Sequence, residues 1–251
     1  MRRVLTIEKR NAARERVLAQ AAADPRVVAG AEVGSLALGG GDRWSDLDLT
    51  FALLDGTAID EVLADWTQVL TAELDAVHLF DLPSGPAIYR VFLLPGLLQL
   101  DVSFAPASEF RPRGPKFRLL FGDADEPAFP SPPAAERLFG LAAHHAMRAR
   151  FCIERGRYWQ AERWIAEVRE QALTLACLRL DLPWSYARGL DDLPAEVLAG
   201  AEEALARSLE RSELLRALEA AVDCLLREGA GAGDLAARLE PDLRNLAQAR
   251  L

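Results

Sequence analysis

Residues 34–51 of the chain read GSLALGGGDRWSDLDLTF. The stretch begins with a Gly-Ser pair, passes through three consecutive glycines and ends in two aspartates separated by one leucine. Residues 45–54, SDLDLTFALL, alternate polar and apolar side chains before an apolar run, which predicts a strand. Residues 27–38, VVAGAEVGSLAL, predict an earlier strand that runs into a turn at the Gly-Ser pair.

Asp46 and Asp48 lie two residues apart in the predicted strand, so both carboxylates point to one face and the leucines between and after them point to the other. The two charges would lie about 6–7 Å apart along the strand, which is unfavourable unless a cation lies between them. Aspartate is also depleted in strands. The pair therefore predicts a metal site, and an exposed strand face with two solvated carboxylates is the alternative.

A third acid, Asp101, is the one charged residue in LLQLDVSFA, residues 97–105, which is otherwise typical of a buried strand. If this strand pairs with the strand of Asp46 and Asp48 in a suitable register, three carboxylates converge. Carboxylate oxygens favour Mg²⁺ or Mn²⁺, and two such ions about 3.5–4 Å apart serve in-line displacement at phosphorus. A single solvated acid on a strand is the alternative for Asp101.

Gly34 and Ser35 predict an anion site beside these acids. Glycine lets the backbone approach an anion closely, the serine hydroxyl is a donor, and the N–H groups after such a pair can form an anion-binding concavity. Lys116, in the basic segment RPRGPKFR at 111–118, is a candidate for a further phosphate contact, although charge runs beside Pro and Gly are usually solvated loops. The glycines at 39–41 are interpreted as a flexible loop.

Taken together, GS at 34–35, a ten-residue spacer, DLD at 46–48 and the later Asp101 resemble the signature of the nucleotidyltransferase superfamily that includes DNA polymerase beta. Val33 supplies the apolar residue that precedes the Gly-Ser pair in that signature. The resemblance covers about residues 30–105 and rests on agreement in residue type, order and spacing.

The resemblance implies a role for each matched residue. Gly34 and Ser35 would bind the phosphates of ATP or another NTP. Asp46 and Asp48 would ligate Mg²⁺ or Mn²⁺, and Asp101 would complete the metal site and help deprotonate the acceptor.

A proline-rich stretch at 125–137, DEPAFPSPPAAER, predicts a domain boundary near residue 130. Residues 1–130 predict an α+β domain with a nucleotidyltransferase-like mixed β-sheet and flanking helices, and residues 131–251 predict an all-α helical bundle. The predicted elements are helices at 3–23 and 58–74, strands at 27–38, 45–54, 76–80, 87–94 and 97–105, and helices near 133–155, 158–180, 194–208, 211–228 and 233–249.

Glu162, in the predicted helix at 158–180, is a candidate general base for an acceptor hydroxyl. It shares a helix side with the apolar stripe, which would place it at a packed surface. An intrahelical ion pair with Arg155, Arg169 or another nearby arginine is the alternative, and it is the commoner role of a helical glutamate.

The formal net charge of −9 counts against a protein that holds long nucleic acid, and the most apolar segment is too interrupted to span a membrane. Three widely spaced cysteines and the lack of a secretory signal favour the cytoplasm.

The two-domain layout is similar to the small-molecule nucleotidyltransferases that adenylylate aminoglycoside or lincosamide antibiotics. The expected function is therefore metal-dependent transfer of NMP, chiefly AMP from ATP, to a hydroxyl of a small molecule, with release of pyrophosphate and a role in antibiotic resistance. A tRNA or protein acceptor, or a binding module without catalysis, are the alternatives.

Overall fold

The structure is a computed structural model that describes residues 6–248. The chain forms two compact units, Met1–Pro130 and Ser131–Leu251. The first unit is a sheet with helices and the second is helical, so the chain has the α+β fold class that the sequence predicts.

A six-stranded sheet forms the centre of the first unit within the described residues. The strands lie in the order β3-β4-β5-β2-β1-β6, and only β2 and β5 are parallel, so the sheet is mixed. The elements of this unit are α1 (Ile7–Ala23), β1 (Val27–Val33), β2 (Leu47–Leu53), α2 (Ile59–Leu74), β3 (Val77–Ser84), β4 (Ala87–Leu94), β5 (Leu98–Pro106) and β6 (Phe117–Phe121).

Helix α1 begins after Thr6, whose Oγ1 accepts a hydrogen bond of 3.3 Å from the Lys9 N–H. It ends at Ala23, because Pro25 disfavours a helical conformation at Asp24, the residue before it. The sequence predicted a start at Arg3, which lies outside the described residues. One side of α1 is buried at intervals of three and four residues, namely at Arg10, Ala13, Val17 and Ala21.

Helices α1 and α2 cover one face of the sheet, where an aromatic cluster forms the core. The Phe51 ring centroid lies 5.2 Å from that of Trp66 and 5.8 Å from that of Phe104. Gly30 leaves room for these rings, because a Cβ there would lie 2.5 Å from Phe121 Cε1 and 2.9 Å from Phe51 Cδ1. The glycine in the middle of β1 is therefore required by packing rather than by a turn.

Three differences from the sequence predictions concern the sheet. Strand β2 begins at Leu47, so Asp46 lies just before the strand and not within it. Strand β3 continues to Ser84; it forms an edge of the sheet and is exposed along its whole length. Strand β6 was not predicted, because its residues adjoin the Pro- and Gly-containing basic segment that was interpreted as a loop.

The second unit contains the five predicted helices within the described residues, and every end lies within five residues of the predicted one: α3 (Ala135–Glu154), α4 (Tyr158–Arg179), α5 (Ala195–Glu203), α6 (Arg211–Arg227) and α7 (Gly233–Gln248). Their core is rich in alanine, which lets the helices approach closely. Among residues 6–248, no helix combines the length and apolarity needed to cross a bilayer.

A buried carboxylate, that of Asp24, lies in the connection between α1 and β1 of the first unit. Asp24 Oδ2 accepts hydrogen bonds of 2.9 Å from Trp66 Nε1 and 2.8 Å from Arg26 Nη2, and Oδ1 accepts 2.9 Å from Arg26 Nε. The Arg26 guanidinium is the main reason why the pKa of Asp24 falls from 3.8 to about 2, and the Trp66 N–H contributes in the same direction. The ionised carboxylate therefore stabilises the fold.

We predict that Asp24→Asn lowers the free energy of unfolding by about 2 kcal/mol at pH 7, because that is the stabilisation carried by the depressed pKa. The extra stability of the wild-type protein is complete above 3.8, the pKa of Asp24 in the unfolded chain, and it disappears as the pH falls toward the folded-state pKa of about 2. Urea unfolding of both proteins between pH 2.5 and 7 measures it. Asp65→Asn is the matched control, since Asp65 binds Arg26 from the surface and its loss should change stability little.

Candidate metal centre

The parallel pairing of β2 with β5 brings the predicted acids together. Asp48 lies directly opposite Asp101 in this register, and Asp46 lies two residues before Asp48. One carboxylate oxygen from each of the three residues lies within 4.8 Å of the other two, and all three side chains are half-buried. The convergence that the sequence predicted from an assumed register is therefore observed.

The spacing of these oxygens suits a divalent cation. Oxygen ligands lie about 2.0–2.6 Å from Mg²⁺ or Ca²⁺, so two ligands of one ion lie within about 5 Å of each other. Carboxylate oxygens are the ligands that Mg²⁺ and Mn²⁺ prefer. Asp46, Asp48 and Asp101 can therefore hold a metal ion.

The surroundings of Asp101 favour a cation as well. Burial raises the pKa of the Asp101 carboxyl, and the charge of Asp46 raises it further. Hydrogen bonds of 3.0 and 3.2 Å from Gln99 Nε2 to the two carboxylate oxygens act in the opposite direction. In the part of the chain that the structure describes, neither Asp46 nor Asp101 has a salt bridge to Lys or Arg, so a bound metal would supply the missing positive charge.

Gly34 shapes the site by having no side chain. Its φ is +72°, and a Cβ there would lie 2.1 Å from Asp48 Oδ2. The anion that approaches the Gly34 backbone is thus the carboxylate of Asp48. The Gly34 N–H donates a hydrogen bond of 3.2 Å to the Lys116 carbonyl, so this group is already occupied within the protein.

Ser35 follows Gly34 in a short 3-10 turn, Gly34–Leu36. Its Oγ is buried and has no hydrogen-bond partner among residues 6–248. A buried hydroxyl without a partner is unfavourable by about 1–3 kcal/mol, and a ligand oxygen would remove that cost. The serine therefore fits the phosphate contact that the family resemblance implies.

Strand β6 places Lys116 beside the turn, because Phe117 pairs with Val33 and the Lys116 carbonyl accepts from Gly34. The Lys116 side chain is exposed and has no hydrogen bond or ion pair with the other described residues. The arginines of the same segment have protein partners: Arg111 pairs with Asp125, Arg113 with Glu109 and Arg118 with Glu32. Lys116 is thus the cation of the segment that remains for a phosphate.

Glu162 belongs to α4 of the second unit, where it is half-buried. The alternative, an ion pair with Arg155, Arg169 or another nearby arginine, is not formed among the described residues. Arg169 Nη1 instead donates to the Ala204 carbonyl. Its role as a base stays a prediction. Gln99 is a site residue that the sequence reasoning missed, although its place two residues before Asp101 puts both side chains on one face.

Comparisons with known proteins give similarities in structure but none in sequence. No protein-family model matches the chain, and no curated protein matches it. An aminoglycoside 6-adenyltransferase from Bacillus subtilis is similar in structure, with a TM-score of 0.41 and 10% sequence identity over 93% of this chain and 96% of that chain. A TM-score this low does not establish a shared fold.

We predict that Gly34→Ala weakens Mn²⁺ binding at least tenfold, because the new Cβ displaces the Asp48 carboxylate, and metal ligands tolerate little displacement. Gly39→Ala is a matched control: Gly39 has a φ of +75°, but a Cβ there meets nothing within 4 Å. Both variants carry about 1 kcal/mol of backbone strain from the positive φ, so this strain does not distinguish them. Mn²⁺ titration followed by electron paramagnetic resonance separates them, and equal affinities would contradict the role assigned to Gly34.

We predict that Asp101→Asn raises the unfolding temperature of the metal-free protein at pH 7 while reducing Mn²⁺ affinity. The raised pKa means that burial disfavours the ionised carboxylate, and asparagine keeps an acceptor for Gln99 without that charge. Calorimetry with a chelator present, followed by Mn²⁺ titration, measures both effects. A fall in both stability and affinity would instead mark Asp101 as a structural residue.

Proposed function

We propose that the protein is a metal-dependent nucleotidyltransferase that transfers NMP, chiefly AMP from ATP, to a hydroxyl group of a small molecule. The observation that carries the proposal is the convergence of Asp46, Asp48 and Asp101 beside the Gly34–Ser35 turn. A sheet face has no structural need for three neighbouring carboxylates, whereas transfer at phosphorus needs bound metal beside a phosphate site.

Each residue has a proposed task in this reaction. Asp46 and Asp48 hold the metal, and Asp101 completes the set and accepts the acceptor hydroxyl proton as its oxygen bonds to the α-phosphorus. When bound, Mg²⁺ or Mn²⁺ supplies charge neutralisation at the phosphates. Ser35 and Lys116 contact the phosphates, and pyrophosphate leaves as the new bond forms.

A small, cationic acceptor suits the overall charge. The formal net charge of −9 favours attraction of positively charged molecules and disfavours long nucleic acid. A polyhydroxylated cation of the aminoglycoside kind combines the required hydroxyl with that charge. The cysteines are all free thiols, which suits the cytoplasm, where NTPs are available.

The function is tested by a pyrophosphate-release screen of ATP, GTP and CTP against aminoglycosides, lincosamides and nucleosides, with Mg²⁺ or Mn²⁺ present. Release that depends on both an NTP and one class of acceptor supports the proposal. A parallel incubation of labelled ATP with cell extract distinguishes a small acceptor from tRNA or protein. Absence of Mg-ATP binding by calorimetry would overturn the enzymatic proposal in favour of a binding module.

We predict that Asp48→Asn lowers the rate of AMP transfer by about 1,000-fold or more, because it removes a metal-ligating charge at the centre of the site. The circular dichroism spectrum and unfolding temperature should stay close to those of the wild type, since the side chain is not part of the apolar core. Asp60→Asn, an exposed acid on α2, is the control and should keep full activity. Unchanged turnover in Asp48→Asn would refute the assignment.

A further inference from the structure

Residues 42–45, which immediately precede Asp46 in the chain, form a closed turn. Asp42 Oδ1 accepts a hydrogen bond of 2.8 Å from the Trp44 N–H, and the Asp42 N–H donates one of 2.9 Å to Ser45 Oγ. The Ser45 N–H also donates to the Asp42 carbonyl at 3.3 Å. These bonds give the turn a defined shape, although residues 42–44 are exposed.

Arg10 of α1 binds this turn from beneath. Its side chain is on the buried stripe of α1 and the residue is 5% exposed. Its Nη1 donates to the carbonyl oxygen of Asp42 and, at 3.1 Å, to that of Ser45. One guanidinium nitrogen thus joins the first and last residues of the turn to the helix.

Asp46 depends on this anchor more than the other two acids do. Asp48 and Asp101 lie within paired strands, whose ladder hydrogen bonds fix their backbone. Asp46 precedes β2, so the residue before it must provide its positioning. That residue is Ser45, whose carbonyl belongs to the peptide group that continues into Asp46.

We propose that Arg10 is a positioning residue that sets the metal affinity of the acidic site by holding the 42–45 turn, and through it Asp46. The proposal rests on the proposed metal-dependent function. Arginine suits the task because its charge persists when buried and its planar group presents several donors at fixed angles. A buried arginine without a carboxylate partner among the described residues is otherwise unfavourable on an apolar helix stripe.

The test compares Arg10→Gln with Arg16→Gln, the same change six residues further along α1, where the arginine pairs with Glu73 at the surface. Hydrogen exchange of residues 42–48 reports whether the turn is held. Mn²⁺ titration without nucleotide reports the affinity of the acids. Unfolding temperatures report stability, and Arg10→Lys shows whether a positive charge alone rescues either effect.

We expect Arg10→Gln to speed exchange in residues 42–48 and to weaken Mn²⁺ binding about tenfold, as loss of groups that orient metal ligands commonly does. Arg16→Gln should change neither. Arg10→Lys should recover only part of the affinity, since one ammonium cannot reproduce the fork of donors.

If Arg10→Gln does not fold, Asp42→Ala replaces it, because this exposed change opens the same turn without touching the core, and it should also weaken Mn²⁺ binding. Unchanged Mn²⁺ affinity in a folded variant with faster exchange would overturn the role of Arg10 while leaving the metal site intact. A wild-type protein that binds no Mn²⁺ would overturn the metal-dependent function as well, so the two failures are distinguishable.

Discussion

The parallel pairing of β2 and β5 is the constraint on which the site depends. All other pairings of the described sheet are antiparallel, and this one aligns Asp48 with Asp101. A shift of one residue would turn one of the two acids to the helix-covered face, where its charge would be buried among apolar side chains. The buried row of Leu47, Leu49 and Phe51 prevents that shift, because the register that buries these side chains is the one that joins the acids.

Much of this arrangement could be predicted from the sequence. The spacing from Gly34 to Asp48 and the lone charge in the strand of Asp101 identified the residues that converge, and β4 was predicted with its observed ends. Alternating and apolar runs depend only on residues close together in the sequence, so they can be interpreted without knowing which strands pair. The identity of the strand that pairs with β2 is not local, and the sequence could supply it only as an assumption.

The features that were missed depend on contacts far apart in the chain. Strand β6 is short and follows a Pro- and Gly-containing segment, so its pairing with β1 had no local sign. Arg10 precedes the turn it holds by more than thirty residues. The one local indication of this contact was a charged residue on the apolar stripe of α1. Such a residue indicates that a buried partner exists, but it does not identify the partner. The close approach of Asp48 to Gly34 also required coordinates.

Strand β3 gives the protein an edge that other chains could recognise. Its outer side has no strand beside it in the described sheet, and it carries exposed apolar side chains, among them Phe80 and Leu82. Such an edge is a template for unwanted β-pairing. Two residues reduce this danger: Pro83 has no N–H to donate, and Asp81 adds a charge that is held by Arg90. Protection against β-pairing at this edge is thus a task for Asp81 and Pro83, separate from the task of the acids in the proposed metal site.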